Sequence, residues 1–93
     1  MTLVTVRALR PFKEALGAGE LSVERPDGET LEGLVRALAE AYPAFAEHAL
    51  DEGGGVALTL GIMVGGRPVG EGSLAEELEE GQEVLLFLPM SGG

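Results

Sequence analysis

Thr30-Leu31-Glu32-Gly33-Leu34-Val35-Arg36-Ala37-Leu38-Ala39-Glu40-Ala41-Tyr42-Pro43 is the stretch from which the rest of the chain can be placed. Leu31, Leu34, Val35, Leu38, Ala39 and Tyr42 recur at i, i+3, i+4, i+7, i+8 and i+11, the apolar stripe of a helix of about three turns. Thr30 is suited to the N-cap, where its hydroxyl can accept from an otherwise unpaired amide. Glu32 stands in the first turn, where the helix dipole favours a negative charge. Pro43 should end the helix. A helix with one apolar stripe needs one apolar surface to cover, so the flanking segments should supply a sheet.

They do. Before the helix, Leu3 to Leu9 sets Val4, Val6 and Ala8 on one side and Thr5 and Arg7 on the other, the alternation of a half-buried strand. Pro11 to Leu16 reads as a short helical turn ending near Gly17. Glu20 to Glu24 reads as a second strand with Leu21 and Val23 inward, closed by a Pro26-Asp27-Gly28 turn. After the helix, Ala44 to Leu50 suits a second short helix and Asp51 to Gly55 a loop. Val56 to Val64 reads as a strand with Leu58, Leu60, Ile62 and Val64 on one face. Gly65-Gly66 can take the positive φ angles of a tight hairpin, with Arg67 to Val69 returning. Gly70 to Gln82 is acidic and loop-like, anchored by Leu74 and Leu78. Glu83 to Leu88 is the last strand, stopped by Pro89. The order strand, strand, helix, strand, short strand, strand gives an α+β domain with the helix on one sheet face. The first and last strands are expected to be neighbours.

Composition narrows the function. The 93 residues suit one domain. Sixteen acids against six bases give a formal charge of −10, which disfavours nucleic acid and anionic membranes and favours a basic protein partner. The longest apolar run, Val84 to Met90, is too short to span a bilayer, and no signal-peptide pattern opens the chain. The absence of cysteine removes disulfides, thiolate nucleophiles and cysteine metal sites, and fits a reducing cytoplasm. His48 is the single histidine and has no nucleophile partner in the pattern, so a surface position is expected. Asp51 and Glu52 beside Gly53-Gly54-Gly55 lack the lysine of a phosphate loop and the spacing of a calcium loop. Glu76, Glu77, Glu79, Glu80 and Glu83 read as a solvated face or a docking surface for a basic partner.

Two features remain. On the last strand Val84, Leu86 and Leu88 are expected to face the helix, which turns Leu85 and Phe87 to the opposite face. Met63 falls on that face too. Apolar residues there predict a partner interface formed by Met63, Leu85 and Phe87. The other feature is the end, Pro89-Met90-Ser91-Gly92-Gly93. With glycine near 7% of residues, a Gly-Gly end arises by chance in roughly one chain in 200, so it gains weight only together with the fold.

With both together, the chain resembles the ubiquitin-like β-grasp sulfur carriers, MoaD of molybdopterin synthase and ThiS of the thiamine pathway. The likeness covers essentially the whole chain. MoaD is the nearer: Ala41-Tyr42-Pro43 with Phe45 is similar to its helix end, the stretch Ala44 to Val56 is longer than in ThiS, Glu80-Gly81-Gln82-Glu83-Val84 resembles its entry into the last strand, and Pro89 to Gly93 its tail. Gly61 and Gly65 stand where the family often has asparagine, and Leu88 where it often has a second proline.

The resemblance implies a β-grasp domain over 1–88 with a flexible tail over 89–93. It implies that the Gly93 carboxylate is adenylated with ATP by an E1-like enzyme of the MoeB type and converted to a thiocarboxylate. Met90, Ser91 and Gly92 would then thread into the active site of a large subunit of the MoaE type, for molybdenum cofactor synthesis. The carrier would itself be non-catalytic and hold no tightly bound cofactor. The chemistry is consistent: an ionised carboxylate, with a pKa near ~3.5, is a poor electrophile until activated, and two glycines pass a narrow channel because they carry no Cβ. Sulfur transfer to thiamine or tRNA, conjugation through Gly93 to protein lysines, and an inert tail on an interaction domain are the alternatives.

Overall fold

The structure is a computed structural model, and residues 1–57 and 59–89 are described. Five strands form one mixed sheet: β1 Thr2–Ala8, β2 Glu20–Arg25, β3 Gly61–Val64, β4 Arg67–Val69 and β5 Gln82–Phe87, in the spatial order β2-β1-β5-β3-β4. The first and last strands pair in parallel, Val6 with Val84 and Ala8 with Leu86, as expected of neighbours. The other pairings are antiparallel. No helix among the described residues is long and apolar enough to cross a membrane.

One face of the sheet carries the core. Val4, Val6, Ala8, Ile62, Val64, Val84 and Leu86 are buried against the stripe of α2, Leu31–Ala41. That stripe is the expected one, Leu31, Leu34, Val35, Leu38 and Ala39. Each leucine or valine of the stripe, fully buried, stabilises by about 1.5–3 kcal/mol, so packing outweighs the cost of a glycine inside the helix.

The start of α2 accounts for its free amides. Gly33 N–H donates to Thr30 Oγ1 at 3.1 Å, the predicted cap. The amides of Leu31 and Glu32 donate to the carbonyls of Glu76 and Leu74, each at 2.9 Å. The acidic segment after β4 therefore closes the helix N-terminus with its backbone, while Leu78 is buried in the core. This docking needs a fold to bring residues 30 and 76 together, so no local pattern announces it.

Two further helices, α1 Phe12–Leu16 and α3 Pro43–Ala49, meet through Phe12 and Phe45, whose rings stand edge to face at 5.7 Å. Pro43 ends one helix by opening the next, where its missing N–H costs nothing. Gly65 and Gly66 have φ of 58° and 84°, the pair of positive values that a two-residue hairpin between β3 and β4 requires.

Two expectations are corrected. The strand predicted over 56–64 shortens to Gly61–Val64. Val56 bridges Leu50, Ala57 N–H donates to Ala49 at 2.8 Å, and Leu60 N–H donates back to Ala57 at 3.0 Å. These bonds tie the segment to the end of α3 rather than to the sheet; Leu58 lies outside the described residues. Leu88 does not face the helix. It is 45% exposed, because the partner strands give out: Gly61 opposite Phe87 is the first residue of β3, and among the described residues neither ladder of β5 pairs beyond Phe87.

Candidate functional site

The tail is launched from the middle of the sheet. β5 has β1 on one side and β3 on the other, and Val84 and Leu86 are completely buried. Leu9 N–H donates to Leu86 O at 3.0 Å, which holds the strand nearly to its last residue. The sequence read Gly93, Gly92, Ser91 and Met90 as the working end; all four lie outside the described residues. The root of that end is described.

Around this root the outer sheet face is apolar. Register sets Met63 opposite Leu85, Gly61 opposite Phe87, and Pro68 opposite Met63. The three residues expected to share a face thus lie together, on adjacent strands. Each is half-buried rather than fully exposed. Phe87 lies across Gly61 so closely that a Cβ at Gly61 would stand 2.6 Å from its ring. Leu9, 54% exposed, follows Ala8 in the parallel register and extends the face beside Phe87.

Sequence reasoning missed Leu9, Pro68 and Gly61 as parts of this face. A signal existed for two of them. Leu9 keeps the outward phase of β1, and a glycine at a strand's start often marks close approach of another group. Pro68 could be added only once the β3–β4 register was known.

Charge rims the face on one side. Arg7 stands 3.6 Å from Glu83 and 3.7 Å from Glu20, all three being exposed, so these pairs contribute little to stability. The acidic run does not converge. Glu80 accepts the Leu3 amide at 3.0 Å, Glu76 faces Arg67 at 3.8 Å, and Glu77 bridges Thr30 through its backbone. Among the described residues no three acidic or histidine side chains gather as a metal site would need. His48 is exposed at the end of α3, its ring edge-on to Phe12 at 6.2 Å, the surface position expected of it.

The displaced pKa values belong elsewhere. Glu29 is held below the usual carboxylate range by its two-pronged pair with Arg25, whose guanidinium is raised in turn by the same bond. Asp27 is lowered by the Thr2 hydroxyl and the N-terminal ammonium. All three groups sit where β1 begins and β2 ends, the opposite end of the sheet from the tail.

The comparisons with known proteins agree with that geometry. The profile of the ThiS family matches residues 6–93. No curated protein matches the chain. A Pyrococcus furiosus protein assigned as molybdopterin converting factor subunit 1 superposes with a TM-score of 0.77 at 28% identity, over 97% of this chain and 100% of its own. Small archaeal modifier protein 1 of Haloferax volcanii gives a TM-score of 0.85 at 20% identity, over 97% and 100%. Subunits 1 and 2 of molybdopterin-converting factor from Helicobacter pylori were solved as a complex, and the match there has a TM-score of 0.62 at 20% identity, over 99% and 100%. The shared architecture is the ubiquitin-like β-grasp.

Proposed function

The chain belongs to the ThiS family of ubiquitin-like sulfur carriers, and from that premise we propose that it serves as the sulfur-donating small subunit of a molybdopterin synthase. The observation that carries the reading is the half-buried apolar face of Met63, Leu85 and Phe87 at the root of a tail that ends Gly92-Gly93. A face of that kind docks a partner, and a partner seated there would stand beside the root of the tail. The likeness to the Pyrococcus subunit, and the complex of the two Helicobacter subunits, favour a large subunit of the MoaE type as that partner.

The chemistry requires no side chain of this protein. A Gly93 carboxylate oxygen attacks the α-phosphorus of ATP on an E1-like enzyme of the MoeB type, and pyrophosphate leaves. Hydrosulfide then attacks the carbonyl carbon of the acyl adenylate, AMP leaves, and loss of the S–H proton gives the terminal thiocarboxylate. Its sulfur attacks a carbon of a pterin precursor in the large subunit and displaces an oxygen leaving group there; water then cleaves the C(=O)–S bond of the resulting thioester, which leaves the sulfur on the pterin and returns the Gly93 carboxylate. The domain's share is to hold β5 rigid and to dock.

The modifier reading draws on the Haloferax protein, whose name describes it as a modifier. The two readings differ in the acceptor. Thiocarboxylated protein is mixed with a MoaE-type subunit and the pterin precursor. Sulfur appearing in the pterin, with Gly93 returned to carboxylate, supports the synthase. Isopeptides from Gly93 to lysines in cell extract supplied with ATP, with no sulfur in the pterin, support the modifier.

A further inference from the structure

We propose that the open edge of β2 and the groove between β2 and α2 form a second docking site, for an extended segment that alternates basic and apolar residues. β2 ends the sheet order and pairs only with β1. Its other edge carries main-chain N–H and C=O groups with no strand partner among the described residues. Such an edge is a template for strand addition unless something blunts it.

Beside the edge runs a groove of about 310 Å³, lined by Leu21, Val23, Leu34, Leu38, Ala41 and Tyr42. A single ordered water needs only ~10–15 Å³, so the groove has room for side chains. Leu21, Val23 and Tyr42 are half-buried there, packed against the core from its rim.

The charges select the occupant. On the outer phase of β2 stand Glu20, Ser22 and Glu24, all exposed. Glu40 adds an exposed carboxylate on α2. The cation of the groove, Arg25, is consumed by Glu29. A second copy of the chain fits poorly: antiparallel β2 strands centred on Ser22 would set Glu20 against Glu24 of the other copy, twice, between molecules of charge −10. Like charges directly opposed destabilise a strand pair. A strand with Lys or Arg on its outer phase reverses the sign of that term, while its inner residues enter the groove. This site lies across β1 from the face used by the proposed large subunit, so both could be filled at once.

The test uses isotope-labelled full-length protein and two capped hexapeptides, one alternating Lys or Arg with Val, the other Glu with Val. The basic peptide should shift the amides of residues 21–25 and 38–42, the acidic one should not, and Glu24→Lys should weaken binding by about twofold to fivefold, the loss of one exposed ion pair. Glu24 is exposed and makes no ion pair among those described, so the variant should fold. Absence of binding, equal binding of both peptides, shifts centred on residues 76–83 or on Phe87, or indifference to Glu24→Lys would each overturn the proposal. A concentration-dependent dimer in sedimentation, dissolved by Leu21→Glu, would assign the groove to a second copy and overturn it as well.

Discussion

Replacing Gly61 by alanine should destabilise the protein, and the sign should reverse once Phe87 is removed. An added Cβ would stand 2.6, 2.8 and 2.9 Å from three atoms of the Phe87 ring, where ordinary contact begins near 3.4 Å. The ring must therefore retreat by about 0.8 Å at its nearest atom. Phe87 is half-buried and can tilt outward, so the cost belongs in the lower part of the ~1–3 kcal/mol typical of overpacking. Against it, alanine gains about 0.5–1 kcal/mol over glycine within a strand. The net expectation is a loss of up to about 1.5 kcal/mol. In a Phe87→Ala background the clash is gone and the same substitution should stabilise by about 0.5–1 kcal/mol. Urea titration of the four proteins gives the cycle; with m near 1–3 kcal/mol/M the midpoints should move measurably in opposite directions. A coupling indistinguishable from zero would refute the ring-over-glycine packing and with it the account of how the apolar face is held.

Three further outcomes follow from the same structure. Leu86→Ala empties a completely buried site at the centre of the sheet and should cost about 2.7–5 kcal/mol, a large part of the ~5–15 kcal/mol expected of a small domain; calorimetry showing a melting temperature lowered by only a degree or two would contradict the burial. Phe87→Asp should keep the far-ultraviolet circular dichroism of the parent and weaken binding to a MoaE-type subunit, with unchanged titration calorimetry counting against the face. Glu29 has a lowered folded pKa, so its contribution is present above its unfolded value near 4.5 and is lost as pH falls through the folded value; Glu29→Gln should reduce stability at pH 7 and flatten the acid limb below about 4.5, and parallel pH curves for the two proteins would show the Arg25 pair contributes nothing.

Much of the fold was legible because its signals are local. The Thr30 cap, the stripe from Leu31 to Ala39 and the Gly65-Gly66 turn each follow from a few adjacent residues, and each stands as expected. The strand over 56–64 failed because alternating apolar residues look alike whether they pair with a sheet or pack under a helix. Backbone bonds from Ala57 to Ala49 chose the second. Leu88 failed because strand phase says which way a residue points, and not where the neighbouring strands stop. On the candidate site, Met63, Leu85 and Phe87 were placed on one face by phase alone. Leu9 and Pro68 depended on register with distant strands, and the pairing of Phe87 with Gly61 needed three dimensions. The β2 edge was invisible for the same reason: no single strand records whether its far side is occupied.

The central claim is that Gly93 carries sulfur, and intact-mass measurement tests it most directly. The full chain is incubated with ATP, an E1-like adenylating enzyme and a sulfide source. The account predicts a gain equal to exchanging one oxygen for sulfur, absent when Gly93 is deleted and absent without ATP. An unchanged mass, with an enzyme shown to be active on its own carrier from the same source, would contradict it and leave the tail inert.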